Sequence, residues 1–386
     1  MSPRPDIPTP SEENAVMIAR PAERLHVEVA SPDPFARGAA RGERLRDTLP
    51  GGIAAYDRFF RLGGIGPQQV RDDAERALDT IDAFRPHARA EIEGIAHGAG
   101  VDVWRIAALN ARTEILARSA TVPPGECSTV VRRTDGACAT FGIQTWDWHV
   151  ELNSYWHTLE SRGGTHDVVG LTEHGILGKI GINSAGLALH FNILGHRRDG
   201  VGGVPMHVLA AVVLEEAGSV AEAMEIVRGA PIASSGSFAL FDTSDAVLLD
   251  LSPEGVFAVD SDPGTLVRTN HFLTPALAAG EKTWLYQPDS GERYDLIRKR
   301  LTPTGLPQSP DDLVGLLVSG EGEAALTCLP DMNLPEGQRW ASLATVILEP
   351  ATSTARILDG TPADSGSRPW RHLAAQRGSD TGSGPR

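Results

Sequence analysis

Thr121-Val122-Pro123-Pro124-Gly125-Glu126-Cys127-Ser128-Thr129 is where the sequence changes character. The Pro-Pro-Gly run predicts a turn, because proline presets one backbone angle and glycine reaches angles closed to other residues. Upstream, apolar residues recur at three- and four-residue spacing over 35–60, 67–84, 88–99 and 103–118, divided by Gly and Pro, which predicts a helical N-terminal third. Downstream, 128–133 and 137–144 flank Asp135-Gly136, a pair suited to a tight hairpin turn. Strands are then expected at 166–171, 177–182 and 187–194, the last alternating Leu187, Leu189, Phe191 and Ile193 as a half-buried strand does.

Helices are expected at 205–217 and 221–228, the second capped by Ser219 and ended by Gly229. Strands at 237–241, 247–251 and 255–259, helices at 290–301 and 310–319, and strands at 342–348 and 354–358 complete the reading. Strands in hairpin order with paired helices between them predict an α+β fold, an αββα sandwich of two antiparallel sheets between helical layers. Residues 1–20 and 360–386 lack apolar periodicity and read as flexible ends, leaving a helical segment over 21–126 and a β-rich segment over 127–359.

A net charge of -15 opposes the counterion release that nucleic-acid binding relies on, so no nucleic-acid partner is expected. No apolar run is long enough to cross a membrane and the start has no secretion-signal pattern, so a cytoplasmic protein without a membrane partner is expected. Three cysteines, Cys127, Cys138 and Cys328, are an odd number, which argues for reduced thiols rather than a disulfide framework.

Several common signatures fail on spacing. Gly181-Ile-Asn-Ser-Ala-Gly186 has its serine out of register for a nucleophile elbow and joins two strands. Gly175-Ile-Leu-Gly-Lys179 lacks the form of a phosphate-binding loop, and Lys179 reads as a strand-surface charge. His149, His157, His166 and His174 have no companion that would make a zinc site and read as partly exposed strand or loop residues. Neither a metal nor any other cofactor is expected. Arg112 and Glu114 read as structural fixtures of a helix.

Cys127 stands out by position, as the first residue of the first strand after the turn. Were the Glu126–Cys127 bond cut, one residue would hold both a thiol and a free α-amine. The amine titrates near ~8 and accepts a proton from a thiol of reference pKa ~8.5, so no histidine is needed as base.

From about residue 27 to 358 the chain resembles the acyl-coenzyme A:6-aminopenicillanic acid acyltransferase (isopenicillin N acyltransferase) family of self-cleaving N-terminal-nucleophile enzymes. The matching stretches are Leu109-Asn-Ala-Arg-Thr-Glu-Ile115, Cys127-Ser-Thr, Gln144-Thr-Trp-Asp-Trp148, Gly178-Lys-Ile-Gly-Ile-Asn-Ser-Ala-Gly-Leu187, Gly203-Val-Pro-Met-His207 and Thr269-Asn-His271. The resemblance implies an N-terminal-nucleophile fold and self-cleavage between Glu126 and Cys127. It implies Cys127 as nucleophile, Asp147 as orienter of the new amine, Asn270 as oxyanion donor, Arg339 as an active-site arginine, and Ser252 in processing or activity. It also implies that the two fragments stay together as a heterodimer. Where the family's pattern has Gly, Asn and Ser, this chain has Glu126, Thr145 and Gln338. The acyl-coenzyme A and penicillin substrates are therefore not carried over.

Read without the family, each residue keeps a plainer alternative. Asp147 would bond a hairpin, Asn270 buried backbone groups, Arg339 a surface carboxylate and Ser252 its own turn. The expected function is amide hydrolysis or acyl transfer on a small-molecule or amino-acid amide through a Cys127 thioester. The rivals are an uncleaved, catalytically silent relative acting as a binding protein, and a thiol hydrolase using His149 or His271 as base.

Overall fold

The computed structural model describes residues 20, 21, 23–119, 127–134, 140–260, 264–283, 289–302 and 305–376. The 121–125 turn, Glu126, the Asp135-Gly136 turn, Cys138, residues 1–19 and the end of the tail lie outside the described residues.

The N-terminal part holds strand β1 (His26–Ala30) and helices α1 (Pro34–Leu45), α2 (Leu49–Leu62), α3 (Pro67–Phe84), α4 (Pro86–Ala99), α5 (Val103–Asn110) and α6 (Arg112–Leu116). The helix expected over 35–60 is two helices. Pro50 in the first turn of α2 has no amide to continue the preceding ladder, so the chain bends at 46–48. Asp33 caps α1 by accepting the Phe35 N–H. Helices α1 and α4 meet at unusually close range. A Cβ on Gly38 or Gly42 would collide with the carbonyl oxygens of Glu91 or Ile95, and one on Gly94 or Gly98 with those of Phe35 or Ala39.

Beyond residue 127 come β2 (Cys127–Arg133), β3 (Thr140–His149), β4 (Trp156–Arg162), β5 (Val168–Glu173), β6 (Ile180–Asn183), β7 (Ala188–Ile193), α7 (Met206–Glu216), α8 (Val220–Gly229), β8 (Gly236–Phe241), β9 (Ala246–Ser252), β10 (Gly255–Ala258), β11 (Thr265–Arg268), α9 (Pro275–Ala278), α10 (Ser290–Arg300), β12 (Trp340–Glu349), β13 (Thr354–Leu358) and β14 (Trp370–Ala374). One sheet runs β1-β4-β5-β6-β7-β8-β9-β10 and the other β11-β2-β3-β12-β13-β14. Among the described strands every pairing is antiparallel except β1 with β4. The sheets face each other, β2 lying over β7 and β8, and β13 over β5 and β6. Helices α7 and α8 cover the first sheet, while α10 and a 3-10 helix at Pro310–Leu317 cover the second. This is the αββα sandwich expected. Covering each sheet on both sides explains why β3 and β7 are buried along their whole length.

Two organisational expectations are corrected. The segment 21–126 is not all helical, since β1 joins the first sheet beside β4. The 360–386 tail is not flexible from its start. Pro362–Gly366 is a capped 3-10 turn, and β14 closes the second sheet by pairing Leu358 with Trp370 through Thr354 with Ala374. Only Leu373 of that strand is fully buried, too few apolar side chains to mark a period. Within 310–319 the expected α-helix is a 3-10 helix. The Gly181–Gly186 run is the strand turn expected. Asn183 Oδ1 accepts the Ala185 and Leu187 N–H groups, and Gly186 sits at φ 92°.

Candidate active site

In the β2–β3 pairing Cys127 lies opposite Trp146 and Ser128 opposite Thr145, so residues of each pair share a face. Cys127 and Trp146 point between the sheets. Thr145 and Asp147 point the other way, towards the layer of α10.

Both ends of Cys127 are fixed. Its N–H donates to Asn270 Oδ1 at 2.8 Å, and its carbonyl accepts from Asn192 Nδ2 and from Arg293 Nη1, each at 3.1 Å. Asn270 is held in turn: Nδ2 donates to Ile193 O at 2.9 Å, and Oδ1 also accepts Arg293 Nη2 at 3.2 Å. Arg293 reaches Ser128 Oγ at 3.1 Å as well. Asn192 crosses from the facing sheet, its Oδ1 taken by Thr129 Oγ1 at 2.7 Å and Gln144 Nε2 at 3.0 Å. The cysteine thus sits where both sheets, the 269–271 turn and α10 converge.

The thiol is buried, which pushes its pKa up to about 12; the Asp147 carboxylate adds to this, while Lys179, the Asp147 backbone N–H and Arg293 oppose it. Burial likewise pushes Asp147 up to about 7, against the Ser342 hydroxyl, Arg293 and Thr145. Ser342, opposite Asp147 on β12, donates to that carboxylate and accepts the Cys328 N–H at 3.0 Å.

Behind the cysteine lies a buried layer of charge. Glu173 Oε1 pairs with Arg112 at 2.5 Å and with Lys179 Nζ at 2.9 Å, and Oε2 accepts the Tyr56 hydroxyl. Arg112 also donates to His207 Nε2 at 3.1 Å. Lys179 is therefore not a strand-surface charge. Its side chain is 2% exposed and its Nζ stands 4.6 Å above the Trp146 ring. Arg112 and Glu114 are structural as expected, Glu114 accepting Met206 N–H at 2.9 Å and Ser234 Oγ–H at 2.6 Å.

The expected site residues divide. Cys127, Asn270 and Asp147 come together. Arg339 does not join them; its Nε donates to Leu334 O at 2.6 Å and its Nη1 faces Glu151 at 3.5 Å. The guanidinium beside the cysteine belongs to Arg293, which sequence reasoning missed. A signal was present, because Arg293 stands in the first turn of α10, where the helix dipole disfavours a cation unless something else holds it. Ser252 lies at the end of β9, its Oγ accepting the Glu254 N–H at 3.2 Å, as a turn residue does.

His149, His157 and His174 are buried rather than partly exposed, because they lie on or beside strands covered on both faces. Burial pushes His149 and His174 down to about 3, and His157 downwards too. His149 stacks between Phe59 and Trp340, with ring centroids at 4.4 and 4.1 Å. His271 Nδ1 lies 2.9 Å from Ser290 Oγ, and burial pushes it down to about 4. Neither arrangement presents an imidazole base to the thiol. Among the described residues, the group with metal-ligand spacing is His26, Glu28 and Glu160, where Arg162 already pairs with Glu160 at 2.7 Å. No described helix is long and apolar enough to cross a membrane.

A solved penicillin V acylase from Agrobacterium tumefaciens matches with a TM-score of 0.36 at 12% identity, covering 60% of this chain and 83% of that one, a likeness too slight to carry an argument. Sequence similarity is firmer. The acyl-coenzyme A:6-aminopenicillanic-acid-acyltransferase 40 kDa form of Emericella nidulans is 34% identical over 253 residues, 63% of this chain and 69% of that protein. The model of the acyl-coenzyme A:6-aminopenicillanic acid acyl-transferase family matches residues 132–364, beginning just after Cys127 and spanning most of both sheets, and the chain belongs to that family.

Proposed function

We propose that this protein is a self-processing amidohydrolase or acyltransferase whose Cys127 becomes an N-terminal nucleophile. The observation that carries the reading is that the Cys127 nitrogen is held by Asn270 Oδ1 while its carbonyl is held by Asn192 and Arg293. The nitrogen and sulfur of one residue are thereby oriented together in a buried site.

In processing, the Cys127 sulfur adds to the Glu126 carbonyl carbon and the C–N bond breaks. The departing nitrogen takes up a proton to become the α-amine, and water hydrolyses the resulting thioester to a Glu126 carboxylate and a thiol. In turnover the α-amine takes the thiol proton as sulfur attacks a substrate amide, then delivers it to the leaving amine. Asn270, through the Nδ2 hydrogen not given to Ile193 O, and a backbone N–H stabilise the oxyanion, a contact of about 3 kcal/mol. Asp147 steadies the charged amine. Water or a second amine then takes the acyl group.

The fragments 1–126 and 127–386 stay together as a heterodimer. Support comes from contacts spanning the cut: Arg112 with Glu173, Arg37 with Glu215 at 2.8 Å, and Arg41 with Leu177 O at 3.0 Å. The substrate is a small-molecule or amino-acid amide. The Emericella nidulans relative is an acyltransferase, which supports acyl transfer, and hydrolysis is the same pathway with water as acceptor.

Intact mass of purified protein tests the proposal, together with a panel of N-acyl amino acids and penicillin-like amides with and without an amine acceptor. Fragments meeting at Glu126/Cys127, absent in Cys127→Ala, and acyl turnover are expected. A wild-type chain that persists at full length and turns over nothing overturns the proposal in favour of a silent binding relative.

A further inference from the structure

Lys179 is the one lysine placed in the buried charge layer described above, and nothing in the proposed chemistry uses it. It precedes β6 in the first sheet, yet its ammonium reaches the side of the second sheet that carries Cys127. The path is short. Nζ stands over the Trp146 ring at 4.6 Å and within 5.8 Å of the Trp148 ring centre, and Trp146 is the cross-strand partner of Cys127.

The anchor of this ammonium is shared. Glu173 gives Oε1 to both Arg112 and Lys179 and Oε2 to Tyr56, so one carboxylate faces two cations. Taking a lysine out of water costs several kcal/mol unless its charge is matched, and a half-share in Glu173 plus an aromatic face matches it only in part. A neighbouring anion would complete the match, and the ionisable side chain on the residue paired with Trp146 is the Cys127 thiol. Burial pushes the Lys179 ammonium down to about 8, Glu173 holds it up, and the Cys127 thiolate favours it as well; Lys179 in turn favours the thiolate against burial.

The other charged and titratable groups around Lys179 do not fill this role. Arg112 and His207 repel or are neutral, Tyr56 stays protonated by burial, and Glu114 is turned to Met206 N–H and Ser234. On the second sheet Asp147 points to the α10 side, where Arg293 and Ser342 face it.

We propose that Lys179 is a positioning residue for the Cys127 sulfur: fixed by Glu173 and the face of Trp146, its ammonium favours the thiolate that attacks the amide. The inference rests on the reading of Cys127 as nucleophile. Lys179 takes no part in the proton transfer: the thiol proton passes to the α-amine as already described.

The test is the pH dependence of Cys127 alkylation by iodoacetamide, read by peptide mass with Cys328 as internal reference, in wild type, Lys179→Met and Lys179→Arg. One pKa unit corresponds to a tenfold change in thiolate at a fixed pH below the midpoint. Lys179→Met should alkylate Cys127 about tenfold or more slowly at pH 7, with its profile moved to higher pH. Its kcat should fall at least as far with KM nearly unchanged, and Lys179→Arg should restore most of both. Should Lys179→Met not fold, Lys179→Gln, which keeps a polar end for Glu173 to hold, takes the same assay and criterion.

A folded variant whose Cys127 profile overlays that of wild type overturns the inference. Failure of the nucleophile reading looks different: Cys127→Ala would keep turnover, or wild type would never expose a Cys127 terminus. The alkylation comparison still judges Lys179 in that case, because it needs only the thiol.

Discussion

Cys127 donates its backbone N–H to Asn270 Oδ1 at 2.8 Å, so the nitrogen that scission would convert to an amine is already gripped in the intact chain. The same amide ties to Ile193 O through Nδ2 and to Arg293 through Oδ1, which locks its orientation. One side chain thereby links the Cys127 nitrogen to both sheets and to α10.

Asn270→Ala removes that grip and the proposed oxyanion donor together. A fall in kcat of about 10²–10³ is expected, with KM changed far less. Steady-state rates on whichever amide the wild type accepts provide the measurement. A kcat within threefold of wild type would remove Asn270 from the mechanism.

The buried charge layer sets a second expectation, on stability. Glu173→Gln leaves Arg112 and Lys179, both buried, without their carboxylate, at a cost of about 3–5 kcal/mol. An exposed pair supplies the control. Arg58 and Glu336 meet at 2.9 Å but are largely solvated, so Arg58→Ala should change stability by about 1 kcal/mol or less. Urea midpoints of the two variants decide it; equal shifts would mean that burial does not separate the pairs.

The layered architecture was legible because its long elements carry strong periods. Helix α3 runs Pro67–Phe84 as read, and Ser219 caps α8 by accepting the Glu222 N–H. Short or polar elements were not legible. β4 is mostly polar, β1, β11 and β14 are four or five residues long, and β1 and β11 pair with strands far away in the chain. The site divides in the same way. Cys127, Asp147 and Asn270 were found through the turn and the family's stretches. Arg293, Asn192 and Lys179 act through approaches across sheets and layers that spacing along one strand does not reveal.

Glycines in α1 and α4 belong to that second kind, since their use appears only when the helices are docked. Gly94→Ala would drive a methyl into Phe35 O and the Ala39 amide, both backbone atoms that cannot swing aside. A loss of about 1–3 kcal/mol or more is expected. Gly66→Ala, where nothing lies within 4 Å of the added carbon, should stay close to wild type. Thermal midpoints of the pair measure this, and a Gly94→Ala protein as stable as Gly66→Ala would show that α1 and α4 can separate at little cost.

Asp147 sets the sign of a pH dependence. Its folded pKa of about 7 lies above the ordinary 3.8, chiefly through burial, so the folded protein holds this proton more tightly than the unfolded chain. Its contribution is therefore fully present below about pH 4 and is lost as pH rises through about 7. Asp147→Asn cannot ionise and escapes that loss. In the Cys127→Ala background, expected to remain one chain, the Asn variant should gain on its parent between pH 4.5 and 8. The gain is bounded by a three-unit shift, on the order of 4 kcal/mol. The buried histidines drop out of the comparison because both proteins share them. If the Asn variant instead loses ground as pH rises, Asp147 is ionised in the fold, and Arg293 and Ser342 outweigh the cost of burying its charge.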